Sequence, residues 1–272
     1  MNINEAPFLK ELVQTCSNMY RLGWNERNGG NISMRLTVSE VEPYVDVTKT
    51  LRRIVLNFDA SPLANSLFLV TGTGKYFKNV ERNPVHNLGL IRVAEDGASI
   101  GILWGFSDGD GPTSELSAHF RSHIVRLSRD KEHRVVMHCH ATNLLAMTYV
   151  HPLDDRAFTR SLWRASTECI VVFPEGVGVL PWILCGTDEI GRATARKMED
   201  YRLCIWAQHG IFGAGNSLDE AFGLIETAEK AAEVCMKTLN VACLNTISDE
   251  QLRLLAESFK ADYRKDFLSD AL

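Results

Sequence analysis

No stretch of the 272-residue sequence is apolar for the roughly 20 residues that a bilayer-spanning helix takes. The most apolar run, Val177 to Cys185, is short and interrupted by Gly178 and Pro181. The opening Met1-Asn2-Ile3-Asn4-Glu5 lacks the basic-then-apolar layout of a secretory signal. No membrane partner is expected. An excess of positive charge is missing as well. Lys and Arg number 29 against 34 Asp and Glu, for a net charge of −5 and a pI near 5.9. Such a surface offers no general attraction to nucleic acid. There is no Cys-x-x-Cys pair, and the seven cysteines are an odd number lying mostly in apolar runs. They read as small core residues of a reducing compartment, which makes the cytoplasm the expected location. Repeats, low-complexity tracts and linkers are absent, so a single domain over 1–272 is expected. No Gly-x-Gly-x-x-Gly follows the first strand, which disfavours a dinucleotide-binding sheet.

What is present is an alternation of apolar periodicities. Phe8, Leu9, Leu12, Val13, Cys16, Met19 and Tyr20 fall at helical spacing within 5–22. Strands are expected at Ile32–Leu36, Arg53–Asn57 and Leu67–Val70, and a hairpin over Leu88–Trp104 turns at Asp96-Gly97. A helix is expected from Thr113 to Leu127 with the stripe Leu116, Phe120, Ile124 and Leu127. There follow a strand from Arg134 to His140, a short helix to Tyr149, a strand Cys169–Phe173, a helix Thr187–Met198 and a strand Leu203–Ala207. Ser217-x-x-Glu220 and Ser248-x-x-Gln251 open the last two helices as capping boxes. This order predicts a mixed α/β fold, with a largely antiparallel sheet flanked by helices.

Eight histidines are present. His138 and His140 stand two apart at a strand end, so both side chains leave one face. A lone His-x-His is ordinarily a polar strand end. It gains weight from His209, which follows a second apolar strand and precedes Gly210. If the two strands converge, three imidazoles meet. Three protein ligands with open positions describe a catalytic zinc site rather than a structural one. His119 and His123 are also at ligand spacing, but they lie beside the apolar stripe of their helix and read as its solvated face. His86, His133 and His151 have no partners at useful spacing.

Three loops could hold an anion: Asn28-Gly29-Gly30-Asn31, Thr71-Gly72-Thr73-Gly74 and Pro112-Thr113-Ser114. Each combines small side chains with exposed backbone N–H groups, and the third is expected to open a helix. Each alone is an ordinary turn or cap. Glu115 follows the third loop. It is either a carboxylate stabilising a helix start or a general base beside a metal-bound carbonyl substrate.

Arg27-Asn28-Gly29-Gly30-Asn31, Val70-Thr71-Gly72-Thr73-Gly74-Lys75, Thr113-Ser114-Glu115-Leu116, Met137-His138-Cys139-His140-Ala141-Thr142-Asn143 and His209-Gly210 occur in that order. The set, over about residues 20–240, resembles the class II aldolase/adducin family. The resemblance implies reversible aldol cleavage of a small phosphorylated ketose, with L-rhamnulose 1-phosphate the expected sugar, to dihydroxyacetone phosphate and L-lactaldehyde. It implies one zinc ion (Zn2+) per subunit on His138, His140 and His209, stabilising the enediolate, with Glu115 as acid and base. Asn28, Gly30, Asn31, Thr73, Gly74, Thr113 and Ser114 would bind the phosphate and substrate. Thr73 stands where a serine is expected and keeps the hydroxyl. A homotetramer with four-fold symmetry is implied, in which Glu168 of a neighbouring subunit assists proton transfer. Glu168 read alone is a solvated carboxylate at a strand edge. The alternatives are a related aldolase acting on L-fuculose phosphate, a sugar-phosphate 4-epimerase on the same scaffold, and a non-catalytic adducin-like scaffold.

Overall fold

The computed structural model describes residues 1–268. Its centre is a nine-stranded sheet. The strands are β1 (Asn31–Leu36), β2 (Arg52–Val55), β3 (Leu67–Thr71), β4 (Leu88–Val93), β5 (Ser99–Gly105), β6 (Val135–Cys139), β7 (Gly178–Leu180), β8 (Leu203–Trp206) and β9 (Gly210–Gly215). They lie in the order β2-β5-β4-β3-β1-β6-β9-β8-β7. All pairings are antiparallel except β7 with β8. The predicted largely antiparallel sheet is therefore found.

Helices bury both faces, which is why the central strands read as near-continuous apolar runs. In β3, Leu67 and Leu69 join the core beneath the Pro7–Arg21 and Leu218–Thr238 helices, while Phe68 and Val70 pack toward Phe120 on the opposite side. β1 makes the same division with different chemistry. Ile32, Met34 and Leu36 enter the first core, so Asn31 and Ser33 face the Leu116–Arg129 helix, both buried.

That helix corrects two expectations. It begins at Leu116 rather than Thr113, because Thr113 and Ser114 belong to the loop before it. It also lies between the sheet and the Asp188–Met198 helix, so more than one stripe is covered. His119 and His123 are fully buried rather than solvated. With Leu116 and Phe120 they complete the i, i+3, i+4, i+7 row that meets the sheet.

Cys169–Val172 is a short helix, not a strand. Four consecutive apolar residues carry no periodicity that separates the two. The carbonyl of Glu168 accepts from the N–H groups of Val171 and Val172, which closes the turn. The Asp96-Gly97 hairpin and the Ser248/Gln251 capping box form as expected. At Ser217 the hydroxyl caps Glu220 N, but the Glu220 carboxylate reaches Asn216 N instead of completing the box.

Candidate active site

β6 pairs with β1 so that His138 lies opposite Asn31, and with β9 so that His138 lies opposite Phe212. The His138 ring stacks on Phe212, with centroids 4.6 Å apart. His140 follows the strand and is fixed by its N–H to Trp24 O at 2.8 Å. His209 sits in the turn between β8 and β9. This turn can press against His138 because residue 210 is glycine: a Cβ there would lie 2.3 Å from Cys139 O and 3.0 Å from His138 Cε1. The centroids of the three imidazoles are 5.3, 5.0 and 5.1 Å apart. One ligand nitrogen from each falls within 4.8 Å of the others. The strand convergence on which the sequence reading depended is present.

Hydrogen bonds behind two of these rings fix their tautomers. His138 Nδ1 donates to Ile211 O at 3.0 Å, which leaves the Nε2 lone pair free. That Nε2 is buried and has no hydrogen-bond partner. His140 Nδ1 donates to Glu26 Oε1 at 2.7 Å, which frees its Nε2 in the same way. A carbonyl or carboxylate behind a ligating imidazole is the usual support for a metal centre. Burial pushes His138 well below the ordinary imidazole value and lowers His209 to about 4. Three converging imidazoles, with the His138 Nε2 lone pair buried and orphaned, fit a divalent cation.

Glu115 faces the cluster. Its carboxylate oxygens lie 3.7 Å from His138 Nε2 and 4.0 Å from His209 Nε2. The residue is 9% exposed, and burial raises its carboxyl against the lowering effect of Asn31, whose Nδ2 donates at 2.8 Å. An acid with a raised pKa beside a cation site is suited to taking and returning a proton.

The expected anion loops surround these groups. The second and third are stitched together by a Gly72–Pro112 bridge and by Thr113 N donating to Thr71 O. Thr73 N is itself used, donating to Gly111 O, whereas Gly74 and Ser114 are exposed. Ser114 lines a cleft of about 400 Å³ with Asn57, Gly111, Thr113 and Gly186. Thr113 is buried, and its hydroxyl accepts from Glu115 N. In the first loop Asn28 is exposed and Gly29 lies against His140. Gly30, at φ +75°, backs onto Asn25 and His138 O. Asn31 departs from its expected place. Its side chain is buried and engaged with Glu115 and His119, away from the loop surface. Glu168 is exposed at the start of its short helix and makes no side-chain hydrogen bond or ion pair with the site among the described residues.

The sequence reading overlooked three groups. Glu26 supports His140. Glu229 accepts from Asn143 N, Asn143 Nδ2 and Leu144 N, clamping the helix that follows His140. His133, read as lacking a partner, bonds His123. No local pattern reveals Glu26 or Glu229, since each acts on residues 85 or more positions away.

Residues 10–236 match the family described as Class II Aldolase and Adducin N-terminal domain. A rhamnulose-1-phosphate aldolase of Listeria monocytogenes serovar 1/2a is 57% identical over 99% of both chains. One from Enterococcus faecalis is 53% identical over 99% of this chain and 97% of its own. Among solved structures, a sugar-phosphate aldolase from Thermotoga maritima superposes with a TM-score of 0.75 at 25% identity, covering 87% of this chain and 97% of its own. On the motifs, the sheet and these similarities together, the chain belongs to the class II aldolase and adducin family.

Proposed function

We propose that the chain is a zinc-dependent aldolase that reversibly cleaves L-rhamnulose 1-phosphate to dihydroxyacetone phosphate and L-lactaldehyde. The observation that carries the chemistry is the convergence of three imidazoles on a buried carboxylate. The choice of sugar rests on the 57% identity to a rhamnulose-1-phosphate aldolase over nearly the whole of both chains. Retention of all three histidines and Glu115 counts against the non-catalytic scaffold.

His138, His140 and His209 hold the cation. When bound, it supplies Lewis acidity that offsets the negative charge left on the ketone half as the C3–C4 bond breaks. The C4 hydroxyl gives up its proton to solvent as that carbon becomes the aldehyde, and Glu115, in its neutral form, delivers a proton to C3 of the ketone half. In the synthetic direction its carboxylate removes a proton from the same carbon of dihydroxyacetone phosphate. Exposed Asn28, Gly74 and Ser114, with Gly30 and the neighbouring Thr73 and Thr113, form the phosphate-binding region and orient the substrate. The enzyme acts in the cytoplasm as a homotetramer.

Proton exchange tests this reading. Glu115→Gln keeps the shape and the Asn31 contact but removes the base. Metal content is expected to remain at the wild-type level, while deuterium exchange at C3 of dihydroxyacetone phosphate slows on the order of 10²–10⁴-fold. Exchange at the wild-type rate in the metal-loaded variant would contradict the assignment of Glu115.

A further inference from the structure

A continuous hydrogen-bonded chain runs through the protein from Glu115 to His133. Glu115 Oε2 meets Asn31 Nδ2 at 2.8 Å, and Asn31 Oδ1 meets His119 Nε2. His119 Nδ1 meets Ser33 Oγ at 2.7 Å, and Ser33 Oγ meets His123 Nε2 at 2.8 Å. His123 Nδ1 then meets His133 Nε2 at 2.9 Å. Each of the four residues between Glu115 and His133 is at most 7% exposed, and His133 is 2% exposed. None of His119, Ser33, His123 and His133 touches the metal cluster through a hydrogen bond, and the proposed reaction does not use them.

The chemistry of the groups gives every link one direction. Asn31 Nδ2 donates to the carboxylate, so Oδ1 must accept, and His119 must carry its proton on Nε2. Burial keeps this imidazole neutral, holding it down to about 3, so Nδ1 is an acceptor. The Ser33 hydroxyl therefore donates to His119. Having spent its single proton there, it must accept from His123 Nε2–H. His123, also held neutral by burial, then presents Nδ1 as an acceptor to His133 Nε2–H. Five bonds point the same way and end on Glu115.

Direction matters at Asn31. The two ends of an amide are nearly the same shape, and a flipped Asn31 would set Oδ1 against the carboxylate. A flip would need the opposite tautomer at His119 and the reverse donor at every link behind it, so the buried chain and the Asn31 amide hold each other's polarity. Glu115 itself precedes its helix and follows a glycine-containing loop, and its side chain makes no helix cap. Without a donor of fixed polarity, its carboxylate has little else to hold it toward the histidines.

We infer that His119, with Ser33 and His123 behind it, is a positioning residue that fixes the polarity of Asn31 and thereby the orientation of Glu115. This rests on the role proposed above for Glu115 as the acid and base. The device acts on the proton-transfer step and not on cation or phosphate binding.

The test compares His119→Leu, His119→Gln and Ser33→Ala as metal-loaded enzyme. Glutamine keeps an N–H donor near the Nε2 position, whereas leucine does not. Ser33→Ala removes the middle link with almost no change of volume and covers the case in which leucine prevents folding. We expect kcat to fall on the order of 10- to 100-fold in His119→Leu and Ser33→Ala, with KM and metal content within twofold of wild type. His119→Gln is expected to recover most of the loss. A purely structural role would lower thermal stability and leave kcat unchanged. Folded His119→Leu and Ser33→Ala enzymes with kcat within twofold of wild type would overturn the inference. A second readout is independent of turnover: ¹⁵N NMR of the imidazoles should show His119, His123 and His133 all in the Nε2–H form. An Nδ1–H form at His119 would also overturn it. Should the wild-type enzyme cleave no phosphorylated ketose, the proposed function fails, while the tautomer measurement still decides the direction of the chain.

Discussion

His119 shows how far a residue's sequence position can mislead about its surroundings. Its spacing to His123 is visible in the sequence, but the helix stripe suggested a solvated face because only aliphatic and aromatic positions were counted as buried. The structure extends that stripe with polar residues, which is possible because Ser33 and Asn31 on β1 supply hydrogen-bond partners. A neutral buried imidazole has a consequence for stability. The folded-state value of His119 is about 3 against an ordinary 6.5. Between these values the unfolded chain binds a proton that the folded chain does not. The contribution of His119 to stability is therefore complete above pH 6.5 and falls as the pH drops through that window. Replacing it by glutamine, which does not titrate, should flatten the acid limb of the stability curve by up to about 1.4 kcal/mol per pH unit. Urea unfolding of wild type and His119→Gln at pH 7, 6 and 5 reads this difference, and parallel curves would show that His119 is not held neutral. Other residues were legible. His138, His140 and His209 converge as their strand contexts suggested, and Cys139 between the first two points into the core. Asn31 was recognised as a site residue, but its tie to Glu115 spans 84 positions and leaves no local trace.

Among the elements, legibility followed periodicity and turn chemistry. The Pro7–Arg21 and Leu218–Thr238 helices, the Asp96-Gly97 hairpin and the strands β3, β6 and β8 all carried a long pattern or a strong turn signal, and all were found. Cys169–Val172 carried neither, and tertiary contacts made it a helical turn with Cys169 and Ile170 buried. The Thr113-Ser114-Glu115 segment does not start the helix, for a structural reason. Thr113 is held in a bridge to β3 through Thr71 O, and its hydroxyl accepts Glu115 N, so the chain enters the helix only at Leu116. That delay leaves the Glu115 side chain free of capping and turned toward the histidines. The turn from β8 to β9 shows a related economy. Gln208 adopts φ +56° and anchors to Thr148, and Gly210 permits the close approach, so His209 is presented by backbone geometry rather than by a helix or strand.

At the scale of the whole molecule, one sheet with helices on both faces brings groups from positions 26 to 209 to a single point. No helix among the described residues is long and apolar enough to cross a membrane. The proposed tetramer gives Glu168 a place that one chain does not. In a ring of directed contacts, the partner subunit's Glu168 would reach the site that contains Glu115. Mixing Glu115→Ala and Glu168→Ala chains tests this, provided that each homotetramer is inactive and that subunit exchange is verified. Random assembly makes about a quarter of the sites intact, so activity should return to about that fraction of wild type. Activity remaining at the level of the separate mutants would place both carboxylates in one chain's site and reject the sharing. The central claim, metal-dependent aldol cleavage of L-rhamnulose 1-phosphate, is tested most directly by its products. Metal-stripped enzyme should leave this sugar unchanged. The same enzyme reloaded with zinc should release dihydroxyacetone phosphate and L-lactaldehyde in equal amounts, detected together by NMR. A 4-epimeric sugar phosphate with no free aldehyde, or cleavage undiminished in the metal-stripped enzyme, would contradict it.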